Sequence, residues 1–138
     1  MSQSTTEQRY LVNKTFDEIS IGDHATLQRT LRPEDVKLFA VMTGDVNPAV
    51  VDPEYAESGM FREVIAHGMW SGSLISTVLG TQFPGPGTIL VDQTLHFARP
   101  VTIGDTITIK ITVRQKFAHN EHILFDCVCT NQENLQVV

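Results

Sequence analysis

The sequence predicts an α+β domain of two layers, a long antiparallel sheet curled about one buried helix. Three observations carry that expectation. Residues 68–80, GMWSGSLISTVLG, hold no charged side chain and show apolar or small residues on every side, so the helix needs burial on all faces. Ile107, Ile109, Ile111 and Val113 alternate with Thr106, Thr108, Lys110, Thr112 and Arg114, a strict period of two. After turn residues at 119–121, Ile123, Phe125, Cys127 and Cys129 repeat the alternation, as an antiparallel neighbour with one apolar face would.

The other elements follow in chain order. Residues 1–9 are polar and are expected to be disordered or loosely attached. Residues 25–31 alternate weakly and read as a first strand. In RPEDVKLFAVMTG, Pro33 suits the first turn of a helix, Glu34 and Asp35 complement its dipole, and Gly44 is placed to stop it. Val36, Phe39, Ala40 and Thr43 fall at helical spacing and predict its buried face. Asp52 and Pro53 open a short second helix that ends near Gly59. The uncharged helix comes third. Gln93, Leu95 and Phe97 alternate with Thr94, His96 and Ala98 and predict a strand, while Arg99-Pro100 and Gly104-Asp105 mark connections. A single sheet leaves exposed ends, so pairing with a second copy into a homodimer or higher even oligomer is expected.

Composition narrows the function. At 138 residues and 15.3 kDa the chain is expected to form one domain across residues 1–138. A net charge of −6 and a pI near 5.2 argue against nucleic acid, whose phosphates select basic surfaces. The N-terminal MSQSTTEQRYLVNK lacks the apolar stretch of a secretory leader. The long uncharged run after Gly68 contains FPGPGT, which would break a membrane helix. The two cysteines, Cys127 and Cys129, share one side of a strand, poorly spaced for a disulfide and too few for a zinc site. Packed thiols in a reducing cytoplasm are the expectation.

Three features carry chemistry. TGDVNPAVVDP at 43–53 sets Asp45 and Asn47 directly after a helix. That pair reads either as an Asx-type turn or as a catalytic loop. IAHGM at 65–69 puts Gly68 at the start of the uncharged helix, where outward N–H groups and the positive dipole end suit a carbonyl or thioester oxygen. The alternative is that Gly68 only permits close packing. His67 beside it reads as a satisfied buried imidazole or as a substrate neighbour, and no second ligand at metal spacing supports a metal. Ser76 supplies a hydroxyl two turns further along.

From about Ala25 onward, the chain resembles the MaoC-like family of (R)-specific enoyl-CoA hydratases. The resemblance rests on FAVMTGDVNP at 39–48, DPEYA at 52–56, FREVIAHGM at 61–69, FARPV at 97–101 and GDTI at 104–107. It implies a hot-dog fold, with the antiparallel sheet wrapped around the central helix and two subunits joined sheet to sheet. It also implies addition of water across the C2–C3 double bond of a trans-2-enoyl-CoA, with no metal or organic cofactor and the coenzyme A thioester as substrate. The family's catalytic Asp falls on Asp45, its Asn on Asn47 and its carbonyl-polarising Gly on Gly68. Ser76 corresponds to a helix position near the water site, and His67 adjoins the thioester.

One departure stands out. The family motif continues Asp-x-Asn-Pro-x-His, and Val50 occupies the place of that histidine. An isopropyl group neither accepts a proton nor hydrogen-bonds to water, and loss of a positioned base costs roughly 10²–10⁴ in rate. The resemblance therefore implies a hydratase of impaired turnover. The alternatives are a non-catalytic acyl-CoA-binding module, and a thioesterase in which Asp45 activates water against the carbonyl. His67 as a substitute base is a further reading. The closing NQENLQVV opens like a strand where the family completes another, which raises the reading of a piece of a longer chain.

Overall fold

The computed structural model describes residues 13–45 and 66–138. The tail at 1–9, the helix expected at 52–59, and Asn47 and Val50 lie outside the described residues, which begin again at Ala66. In chain order a 3-10 turn at Phe16–Glu18 leads to β1 (His24–Thr30) and α1 (Pro33–Thr43), then α2 (Gly68–Thr81), β2 (Thr106–Phe117) and β3 (His122–Thr130).

The three strands form one antiparallel sheet with β2 in the centre. The period of two read from β2 is its burial pattern: Ile107, Ile109 and Ile111 are fully buried and Val113 nearly so. Ile109 lies between Leu27 of β1 and Cys129 of β3. The opposite face is polar. There Thr30 and Thr106 share a hydroxyl hydrogen bond of 2.8 Å, and the Gln28 amide donates to Thr108 Oγ1 at 3.1 Å. A bulge at Arg114 shifts the β2–β3 register between Val113 and Gln115.

Against the apolar face packs α2, whose Trp70, Ile75, Val78 and Leu79 join the β2 isoleucines in one core. Trp70 is thus a core residue. The uncharged sequence predicts burial on every side, and the structure departs from that. Met69, Ser73 and Ser76 form an exposed stripe, and Ser73 Oγ donates back to the Met69 carbonyl at 2.8 Å. Small hydroxyl side chains satisfied by their own helix tolerate water, so the absence of charge does not force burial there.

Helix α1 begins and ends as its punctuation predicts, with Pro33 in the first turn, Asp35 accepting from the Arg32 N–H at 2.9 Å, and Gly44 in the left-handed region at φ 74°. Val36 and Ala40 are buried and Phe39 half-buried, whereas Thr43, expected on the inner face, is exposed. Its hydroxyl is used locally instead, as the site shows.

The strand expected at 93–98 is not part of a ladder among the described residues. Its alternation survives, with Gln93 and Leu95 half-buried between exposed neighbours. The run lies along α2, where a Cβ on Gly72 would stand 3.0 Å from Leu95 and one on Gly68 3.2 Å from Phe97. Residues 89–96 and 124–127 instead line a common groove of about 1120 Å³. At one end a third segment bridges the two. Val137 accepts from the Ala98 N–H at 2.9 Å and donates to the Cys129 carbonyl at 2.8 Å, so the run after Asn131 lies between the two banks. Val137 and Val138 are buried there.

Cys127 and Cys129 are both free thiols on the inner face of β3, as the spacing predicts. Burial pushes each up from 9.0 to about 11, helped by neighbouring Asp126 for Cys127 and by Cys127 for Cys129.

This packing has three measurable outcomes. Ile109→Ala, which empties a fully buried site, should cost about 2–5 kcal/mol in urea unfolding, whereas Thr108→Ala on the polar face should stay within about 0.5 kcal/mol. Native Cys127 and Cys129 should alkylate at pH 8 roughly 100-fold more slowly than in the unfolded chain. With folded values raised, the same thiols add stability below about pH 9 and lose it as pH rises through about 11.

Candidate active site

The site is built where α1 ends and α2 begins. Gly44 turns the chain out of α1 while its N–H still donates to the Ala40 carbonyl at 2.8 Å. Thr43 Oγ1 donates to the Phe39 carbonyl at 2.7 Å and accepts from the Asp45 N–H at 3.1 Å. One hydroxyl therefore caps the helix and fixes the backbone of the carboxylate that follows it.

Residue 67 is the N-cap of α2, yet its side chain caps none of the helix N–H groups. The buried imidazole turns back toward α1 instead. Its Nε2 donates to the backbone carbonyl of Asp45 at 2.8 Å and lies 3.9 Å from the Asp45 carboxylate. Its ring packs on Phe39, centroids 4.9 Å apart and planes 35° apart. The first N–H groups of α2 are left to face outward, with the positive end of the dipole behind them.

Gly68 is the first residue of α2, and a Cβ there would stand 3.2 Å from the half-exposed Phe97 ring, which would have to shift by a few tenths of an ångström. Close approach of the Phe97 ring thus favours a glycine at this position. This packing reason does not compete with the chemical one, because the missing Cβ also opens the helix terminus to a bound group.

Phe39, Thr43, Asp45, His67, Gly68, Met69 and Phe97 enclose a pocket of about 490 Å³. The Asp45 side chain is about half exposed, at 55%, so the carboxylate reaches the pocket without losing its water. The arrangement joins one carboxylate able to move protons, one helix terminus able to hold a developing negative oxygen, and walls of two phenylalanines and a methionine. The larger groove beside β3 shares no residue with this pocket; it is lined by the carboxylates of Asp92, Glu121 and Asp126 but not by the first residue of either α-helix. Among the described residues no group of His, Cys, Asp and Glu side chains is arranged to hold a metal. No helix among them is long and apolar enough to cross a membrane.

Asp45, His67 and Gly68 therefore meet, as expected for two motifs far apart in sequence. Ser76 does not line the pocket, since two turns separate it from Gly68, roughly 12 Å along the axis. Asn47 and Val50 lie outside the described residues. Sequence reasoning missed Thr43, Phe39, Met69 and Phe97 as parts of the site. Phe97 carried only a strand alternation, and nothing local to it points to Gly68.

Comparison with known proteins shows the family and the fold. Residues 18–131 match the pattern described as a MaoC like domain. The chain is similar to an (R)-specific enoyl-CoA hydratase of Rhodospirillum rubrum, 43% identical over 120 residues, covering 87% of this chain and 83% of that protein. It is also similar to a 3-hydroxybutyryl-CoA dehydratase of Methylorubrum extorquens, 36% identical, with 83% and 73% covered. Among solved structures, an R-hydratase of Pseudomonas aeruginosa in its unliganded form superposes with a TM-score of 0.86 at 40% identity, covering 91% of this chain and 80% of that one. An (R)-hydratase from A. caviae superposes at 0.84 and 31% identity, with 86% and 90% covered. The expected hot-dog arrangement of sheet and helix is the fold these structures share with the chain.

The Gly68–Phe97 contact gives a direct check. Gly68→Val should destabilise by about 1–3 kcal/mol through overpacking, and Phe97→Ala should relieve most of that cost in the double variant. Additive effects in denaturant unfolding would mean that the two residues do not meet.

Proposed function

We propose that the chain, which belongs to the MaoC-like domain family, is an (R)-specific enoyl-CoA hydratase whose turnover is lowered by Val50. The observation that carries this reading is the pocket shared by the Asp45 carboxylate and the Gly68 terminus of α2. It is supported by the similarity to hydratases across most of the chain.

The chemistry follows from the residues. A thioester carbonyl oxygen set against the Gly68 N–H is polarised, which draws electrons from C3 and lets water attack there. As the new C3–O bond forms, the double-bond electrons move to C2 and the carbonyl oxygen takes up negative charge. A base removes one water proton, and C2 receives a proton to finish the addition. In a syn addition both new bonds form on one face, so a single carboxylate, Asp45, can take the first proton and return it to C2. Asn47 would orient the water or the carboxylate. Ser76 lines no part of the pocket and is given no role. The steps transfer protons only, so they require no metal or organic cofactor, and the coenzyme A thioester is the substrate.

Without a second base at position 50, Asp45 carries both transfers alone. Retention of the binding pocket also fits a non-catalytic acyl-CoA-binding module, and a thioesterase would release free coenzyme A from a saturated thioester. Apolar residues exposed on α1, Leu38, Val41 and Met42, support assembly as a homodimer or higher even oligomer. The free thiols Cys127 and Cys129 support a cytoplasmic setting.

Hydration of a short trans-2-enoyl-CoA by the chain as it stands and by Val50→His is the decisive comparison. Val50→His should raise kcat by about 10²–10⁴, and Asp45→Asn should abolish turnover in both while acyl-CoA binding persists. Binding without turnover in every variant would establish the module instead, and coenzyme A release from a saturated substrate the thioesterase.

A further inference from the structure

His67 belongs to the second motif by sequence but, by its contacts, it serves the first. Its backbone is the N-cap that precedes Gly68, while its side chain reaches across 22 residues of sequence to the Asp45 carbonyl. Buried to 5% exposure, the imidazole has little rotamer freedom, and Phe39 holds its ring from the α1 side. Asp45 is thereby fixed at both backbone polar groups: Thr43 accepts its N–H, and His67 donates to its C=O. The donated proton goes to the carbonyl at 2.8 Å, not to the carboxylate at 3.9 Å.

We propose that His67 is a positioning residue, neither a base nor a substrate contact. It acts as a strut that sets the distance between the Asp45 carboxylate and the Gly68 terminus of α2. The term positioning rests on the hydratase reading, whereas the strut itself is a statement about structure. Addition of water to C3 while the carbonyl is held at Gly68 needs both groups in register, and a misplacement of about 1 Å can cost roughly 100-fold in rate.

The test uses the full chain carrying Val50→His, in which turnover is expected to be higher. His67→Phe keeps the ring volume and the Phe39 contact but has no N–H. It should lower kcat by roughly 10- to 100-fold with KM changed less than about twofold. His67→Gln, whose side-chain amide can donate from near the place of Nε2, should recover most of the loss. If His67 only fills space, the order reverses and His67→Phe is the milder change. If it contacts substrate, KM rises while kcat holds. Either result overturns the proposal.

Asp45→Asn serves as the reference. Should it leave turnover intact, the hydratase reading fails whatever His67 does. Should it abolish turnover while His67→Phe equals its parent, only the strut fails. A measurement on the unaltered chain needs neither turnover nor a variant that folds. Nitrogen–proton NMR of the imidazole should show the proton on Nε2 of His67, exchanging slowly with water, and an Nδ1–H tautomer or fast exchange would overturn the proposal.

Discussion

Helix α2 has no charge along its length, and the need to cover it organises the molecule. Ile107, Ile109 and Ile111 supply the cover because β2 turns every second side chain toward it. β1 and β3 flank β2, and their inward residues Leu27 and Cys129 stand on either side of Ile109 and extend the layer. The N-terminus of α2 is then fixed in space by a hydrophobic contact that has nothing to do with chemistry. The reactive pocket inherits its position from the core.

This origin explains what the sequence reveals and what it conceals. Pro33, Asp35 and Gly44 act within one helix, and the alternation of β2 acts along one strand, so both are legible as local patterns. The meeting of Asp45 with Gly68 was legible only because two motifs together resemble one family. Neither motif alone separates a functional loop from an ordinary turn.

The remainder required tertiary contacts. No local rule says that an N-cap histidine will ignore its own helix and face another, because the choice depends on Phe39 being within reach. Thr43 was assigned to the core by helical spacing, but its hydroxyl finds two partners at the helix end, which outweighs burying one methyl group. The alternation at 93–98 correctly marked an extended run. Pairing is a property of two strands, and this run shares a groove with β3 without joining its ladder among the described residues. An uncharged helix likewise says how little it needs water, not which of its faces will meet it.

The run at 93–97 has a role beyond covering α2. It meets the helix at Gly72 and Gly68, and Phe97 at its end forms a wall of the pocket. Asp45 and Gly68 stand on helix termini anchored in the core, whereas this wall stands on an extended segment that belongs to no ladder among the described residues. The two can therefore diverge at different rates over evolutionary time. Changes at residue 97 alter the shape that a ligand meets, while the reacting groups keep their geometry. A fold arranged this way can accumulate new ligand preferences by drift along one extended segment without first passing through an inactive intermediate.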